Sequence, residues 1–180
     1  MPDTTVLATL FNDNAKIAIE SHYGRNKVVL TEPQAQDSKI EIRNIPDDSL
    51  VIDLDSVFSN ADLFSGSKGE CKRADYLIFS EQKQKILFIE MKRTGAKLKD
   101  IVNQLKGSLC AFEYTQAIAR EFFNEIDFLT AYELRFISIN HTGMVNRKTA
   151  IEKVAGIHNQ PDKPLKLSWT QSIQYNHIAA

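Results

Sequence analysis

The sequence predicts a mixed α/β domain, a central sheet flanked by helices, and three observations carry that prediction. Residues 72–80, "KRADYLIFS", and 85–92, "KILFIEMK", are apolar, β-branched and aromatic runs split by the polar "EQKQ", which reads as an antiparallel hairpin. Leu98, Ile101, Val102, Leu105, Leu109 and Phe112 then recur at helical spacing, in a pattern that runs to about Phe123. Beyond it, "ELRFISIN" at 133–140 is a further strand. One sheet with helices packed on it buries both kinds of pattern.

The remaining elements follow in order. Val6, Leu7, Leu10, Phe11, Ile17 and Ala18 suit one or two amphipathic N-terminal helices, with Gly24 ending the last. "KVVLTE", "SKIEIRN" and "SLVIDLDS" read as short strands, punctuated by Pro33 and by Pro46-Asp47-Asp48. "SGSKG" at 65–69 is a loop. "RKTAIEKVAG", 147–156, leans to helix, and "LKLSWTQ", 165–171, is an edge strand. No internal repeat or low-complexity tract interrupts the chain. Its 180 residues suit one domain, spanning 1–180.

Composition excludes several classes. No stretch approaches the roughly 20 apolar residues of a membrane span. The first sixteen residues lack both a basic segment and a long apolar run, so no secretory leader is expected and a cytoplasmic protein is. Cys71 and Cys110 form no metal-ligand spacing and read as small packing thiols. There is no glycine-rich phosphate loop. The net charge of −1 hides an uneven distribution. Residues 1–67 carry eleven acids and five bases, whereas 68–106 carry five acids and ten bases. That basic segment suggests a polyanionic partner, with Lys68, Lys72, Arg73, Arg93, Lys97 and Lys99 as candidate phosphate contacts.

The basic segment surrounds an anomaly. In "ILFIEMK", Glu90 and Lys92 end an otherwise oily strand, where charge is costly unless paired or bound. Side chains alternate across a strand, so Glu90 and Lys92 share one face, and Leu87, Ile89 and Met91 turn to the other, into the core. In a symmetric hairpin around 81–84, Asp75 lies opposite Glu90, with Cβ atoms about 4.5–5.5 Å apart. Two carboxylates that close repel and require a positive neighbour. Lys92 is one; a divalent cation such as Mg²⁺, which accepts one or two carboxylates plus waters, suits better.

Asp75 followed on the next strand by Glu90-Met91-Lys92 resembles the D…(D/E)-x-K signature of the PD-(D/E)XK nuclease superfamily. The motif covers roughly residues 70–110, and the order of elements extends the likeness over most of the chain. The resemblance implies a restriction-endonuclease-like fold with a central mixed sheet. It implies a metal-dependent nuclease, endo- or exo-, acting on DNA in restriction, repair, recombination or defence, with RNA as another substrate. It implies Asp75 and Glu90 as ligands of Mg²⁺, or of Mn²⁺ in its place, and Lys92 as the group that positions or activates the attacking water. Two further residues match the family by position: Glu20 as an acid on the first helix, and Gln104 on the helix after the E-x-K strand. Position 108 is Ser where the RecB-like subgroup has Tyr, and Ala74 stands where many members have Pro.

The rival class is a catalytically inactive domain of the same fold, serving as a nucleic-acid-binding or assembly subunit. With so little room for a separate recognition domain, a homodimer or a partner protein is expected to supply targeting. Other residues carry weaker signals. Glu70 reads as a rim acid, with an alternative ligand as the other reading; Asp53 and Asp55 share a strand face and read as strand-end acids facing solvent rather than as a second acidic site. His22 lies near Glu20 in sequence; His141, His158 and His177 have no triad partners; Trp169 reads as a packing residue.

Overall fold

A computed structural model describes residues 1–32, 38–92, 96–140 and 157–180. The helix expected over 147–156, His141 and Arg93 lie outside the described residues. The chain is mixed α/β, with four helices and two mixed sheets among those residues.

The chain starts with helix α1 (Asp3–Leu10), tied to the later hairpin where Thr4 donates from its N–H and hydroxyl to Glu81 Oε2, at 3.2 and 2.8 Å. A short 3-10 turn over Asp13–Ala15 follows. No second N-terminal helix forms. Residues Glu20–His22 are instead strand β1, which turns through Tyr23 and Gly24 into β2 (Arg25–Thr31). Tyr23 and Gly24 have φ of 51° and 71°. Two consecutive positive φ angles in a two-residue loop make the tight hairpin turn whose twist matches the flanking strands. Gly24 therefore serves a hairpin rather than a helix end.

Strands β3 (Lys39–Arg43) and β4 (Leu50–Asp53) fall where the sequence places them. The second half of "SLVIDLDS" departs from expectation: it forms a one-turn helix, α2 (Leu54–Val57). Asp53 caps it, accepting from the Ser56 N–H at 3.1 Å and the Ser56 hydroxyl at 2.8 Å. Asp53 and Asp55 thus do not share a strand face.

Strands β5 (Tyr76–Ser80) and β6 (Lys85–Lys92) form the expected antiparallel hairpin, in the register Tyr76↔Ile89 to Ser80↔Lys85. Helix α3 (Leu98–Phe123) ends where its apolar repeat ends, at Asn124 in the left-handed conformation. Strand β7 (Glu133–Asn140) runs parallel to β6, and β8 (Leu165–Ser168) closes the sheet at its edge. Strand β9 (Ser172–Gln174) and the one-turn helix α4 (Tyr175–Ile178) complete the chain.

The larger sheet has the order β4-β5-β6-β7-β8; the smaller runs β1-β2-β3-β9. Even-numbered positions of β6, such as Ile86 and Phe88, pack with Phe79, Phe112 and Phe136 beneath α1 and α3. Odd-numbered positions, Leu87, Ile89 and Met91, pack against Val28, Leu30, Ile40 and Ile42 of the smaller sheet. The hairpin is therefore a middle layer, covered on both faces. That is why its sequence reads as a continuous apolar run instead of an alternation.

Candidate active site

Asp75 immediately precedes β5. Its carbonyl accepts the N–H groups of Leu54 and Asp55, at 2.8 and 3.4 Å, which fixes it against the start of α2. Only 5% exposed, its carboxylate accepts the Met91 N–H at 2.6 Å through Oδ2, where the pairing of β5 with β6 has run out. The register carried one residue past Tyr76↔Ile89 sets Asp75 against Glu90, as the hairpin symmetry predicts.

Glu90 is fully buried. Lys92 Nζ lies 2.6 Å from its Oε1, an ion pair at the half-buried end of the strand. The ammonium balances charge and reaches Oε1 at hydrogen-bond distance, which leaves Oε2 without a donor among the described residues. Buried polar atoms are seldom left so, and each such case calls for a cause.

The electrostatics follow from burial. Desolvation pushes Asp75 up to about 7, against the Met91 N–H and Lys92, which favour its charged form. Desolvation and then the charge of Asp75 push Glu90 up to about 9, with Lys92 opposing. For Lys92, desolvation works against the ammonium, yet Glu90 and Asp75 outweigh it and hold the group above its ordinary value. The two carboxyls thus resist ionising together.

A pH dependence follows. Both acids release protons at higher pH in the folded chain than in the unfolded one, so folding holds protons between about pH 4 and the raised values. In chelator, stability is expected to be greatest near pH 4–5 and to fall as pH rises toward 8, by on the order of a few kcal/mol. Asp75→Asn and Glu90→Gln should each flatten the decline. Thermal melts across that range check it; a wild-type melting temperature independent of pH would refute it.

Asp75 opens into a cleft of about 390 Å³, whereas Glu90, fully buried, does not line it. Asp75 and Lys92 line it from the sheet, Gln104 and Asp100 from α3, and Lys72 and Arg73 from the approach to β5. Glu32, just past β2, Asp55 of α2 and Cys71 complete the wall. Helix α3 is held against this wall by Ser108, whose hydroxyl accepts the Ala74 N–H at 2.6 Å and donates to the Gln104 carbonyl at 3.2 Å.

The structure thus brings together Asp75, Glu90, Lys92 and Gln104. It does not bring Glu20, which lies on β1 rather than on a helix and reaches Lys27 Nζ at 3.4 Å from an exposed position in the smaller sheet. The apolar residues before it read as helical only because the hairpin turn was missed. Among the basic candidates, Lys72 and Arg73 reach the cleft already paired, to Asp100 at 2.7 Å and to Asp55 at 3.2 Å. Lys68, Lys97 and Lys99 are exposed around it. Glu70 is not among the cleft's lining residues and accepts from the Lys68 N–H at 2.8 Å within its own loop.

Sequence reasoning missed Glu32, Ser108 and the placement of Asp55. Glu32 ends a strand of the other sheet, and no local pattern says that two sheets meet there. Ser108 was visible as a departure from the Tyr of one subgroup, without a role.

The donor set is carboxylate oxygen, the kind a hard divalent cation takes: Asp75 borders water-accessible space, and Glu90, opposite it, keeps one oxygen without a donor among the described residues. Among the described residues no three His, Cys, Asp or Glu side chains group as a metal site; Asp75 and Glu90 are the pair that would offer oxygens to a cation. No helix among those residues is long and apolar enough to cross a membrane. No family model, curated protein or solved structure matches the chain.

Proposed function

We propose that the chain is a metal-dependent nuclease of the PD-(D/E)XK type, with a restriction-endonuclease-like fold, hydrolysing phosphodiester bonds in DNA. One observation supports it above the others: Asp75, Lys92 and Gln104 line one cleft, and Glu90, fully buried, lies opposite Asp75 with Lys92 against it. A folded chain bears the cost of two buried, mutually repelling carboxyls more readily when a cation offsets it.

In this reading Asp75 and Glu90 hold Mg²⁺, or Mn²⁺. Once bound, such an ion polarises a phosphoryl oxygen and makes water a nucleophile near neutral pH. Met91 holds Asp75 in place through its N–H. Lys92, tethered to Glu90, points its ammonium where it orients the attacking water and offsets charge developing on the phosphoryl oxygens. Gln104 offers an amide to the substrate side of the cleft. Lys68, Lys97 and Lys99 hold flanking phosphates, giving affinity without sequence preference.

The test is cleavage of supercoiled plasmid, with RNA in parallel, in Mg²⁺ or Mn²⁺. Wild type should cut DNA, and chelator should stop it. Asp75→Asn and Glu90→Gln should fold, melt no lower than wild type because a repulsion is relieved, and not cut. Variants that cut at the wild-type rate would remove the site from the chemistry.

A further inference from the structure

We infer that the polar face beginning at Asp75 and Glu90 continues across β7 to the edge strand β8, and that Lys166 there holds a phosphate of the substrate; this rests on the nuclease reading above and gives its substrate a direction across the sheet.

The sheet face packed under α1 and α3 changes character at one line. Two of its rows across β5, β6 and β7 are Phe79, Ile86 and Leu134, then Leu77, Phe88 and Phe136. All six pack in the apolar core. Carrying the register one residue past Tyr76↔Ile89, the next row is Asp75, Glu90, Ser138 and Lys166. The row after it is Lys92, Asn140 and Ser168. None of these seven side chains is apolar. The opposite face of the same strands makes no such change. Ile89, Met91, Ile137, Ile139 and Leu165 stay buried against the smaller sheet, and Leu167 packs on them. Side chains alternate across a strand, so the polarity belongs to one face and is not a fraying of strand ends.

The two polar rows open toward the edge. Ser138 is fully buried, and its hydroxyl donates to Asn140 Oδ1 at 3.4 Å. Asn140 is half-buried, whereas Lys166 and Ser168 are exposed. The edge strand is held in this register past its last pair, because Trp169 donates its N–H to the Asn140 carbonyl at 2.8 Å. Charge also runs along the row, from two carboxyls at β5 and β6 to an ammonium at β8. Neighbouring strands lie about 4.8 Å apart, which puts Lys166 about 10 Å from Glu90. A phosphodiester chain whose scissile phosphate meets a cation at Asp75 and Glu90 has further phosphates to place. Ammonium, hydroxyl and amide groups are what hold such phosphates, and Lys166, Ser168 and Asn140 present them in that order of strength.

The experiment measures binding of a fluorescently labelled DNA oligonucleotide in chelator over a range of salt, thermal melts, and cleavage of DNA and RNA in Mn²⁺. The variants are Lys166→Gln, Lys166→Arg and, as a control in the exposed 81–84 turn at the far end of the hairpin, Lys83→Gln. Lys166→Gln should bind about 3- to 10-fold more weakly at low salt, with a salt slope smaller by about one. Its melting temperature and its single-turnover rate at saturating DNA should match wild type. Lys166→Arg should recover the affinity, since a guanidinium also takes a phosphate. Lys83→Gln should bind as wild type does. Wild-type affinity and slope in Lys166→Gln overturn the inference. An equal loss in Lys83→Gln overturns it too, because net charge alone would then account for the effect. So does a loss that comes with a lower melting temperature and that Lys166→Arg does not restore, the mark of a structural lysine. The nuclease reading fails separately. Wild type that binds DNA through Lys166 and cuts neither nucleic acid removes the chemistry and leaves the phosphate contact; wild type that cuts while Lys166→Gln binds unchanged does the reverse. Wild type that neither binds nor cuts overturns both.

Discussion

Lys92→Ala is expected to slow single-turnover cleavage of DNA by on the order of 10²-fold or more while leaving Mn²⁺ affinity nearly unchanged or slightly raised. The separation follows from where the ammonium sits. Lys92 Nζ is 2.6 Å from Glu90 Oε1, so it neighbours the proposed cation site without being a ligand. Removing it takes away a positive charge that competes with the cation. The fold should survive, because burial and the charge of Asp75 already hold Glu90 up to about 9, and a protonated Glu90 does not need a counter-ion at neutral pH. DNA binding should fall only modestly, since exposed Lys68, Lys97 and Lys99 remain. Lys92→Arg should not restore the rate fully, because a broad planar guanidinium cannot take the place of a compact ammonium beside one water. An active Lys92→Ala would make the lysine a counter-ion and nothing more. An inactive variant that had also lost Mn²⁺ would signal collapse of the site.

The hairpin, its register, the long helix and the following strands were legible because each has a period or a run that only one element satisfies. The face shared by Asp75 and Glu90 followed from the same arithmetic, since alternation and a four-residue turn fix which residues oppose. What was not legible depended on partners distant in sequence. Ile17 and Ala18 carry no period of their own, and only the two-residue turn at Tyr23-Gly24 shows that Glu20 belongs to a strand. The smaller sheet is closed by β9, which pairs with β3 from about 130 residues away, and "SIQ" holds too few residues to announce a strand. Glu32 enters the cleft only because Tyr76 clamps the end of β2 onto β5. The single-sheet expectation failed for one physical reason: an apolar run such as "ILFI" says that both faces are covered, but not whether helices or a second sheet cover them. The basic segment was real in sequence, yet the cleft spends Lys72 and Arg73 on Asp100 and Asp55, which a running charge count cannot show.

Gly107→Ala is expected to destabilise the fold by roughly 3 kcal/mol or more, although Ala is the better helix former by about 1 kcal/mol. The helix preference loses because of what lies beside the glycine. A Cβ at 107 would overlap the carbonyl oxygen of Lys72 and come within 2.8 Å of its carbonyl carbon. Those are backbone atoms of the segment leading into Asp75, so no side chain can swing aside. Relief requires moving α3 away from the sheet, and the neighbouring tie would go with it. Ser108 accepts the buried Ala74 N–H one residue further on, and separation would leave that donor unsatisfied. The same movement would carry Gln104 away from Asp75 and Lys92. The loss should therefore appear twice: as a lower denaturant midpoint at unchanged slope, and as weaker Mn²⁺-dependent cleavage in whatever fraction stays folded. Ser108→Ala tests the tie alone and should cost less, about 1–3 kcal/mol. A Gly107→Ala chain as stable as wild type would mean that α3 does not approach Lys72 so closely, and that the helix wall of the cleft stands further back.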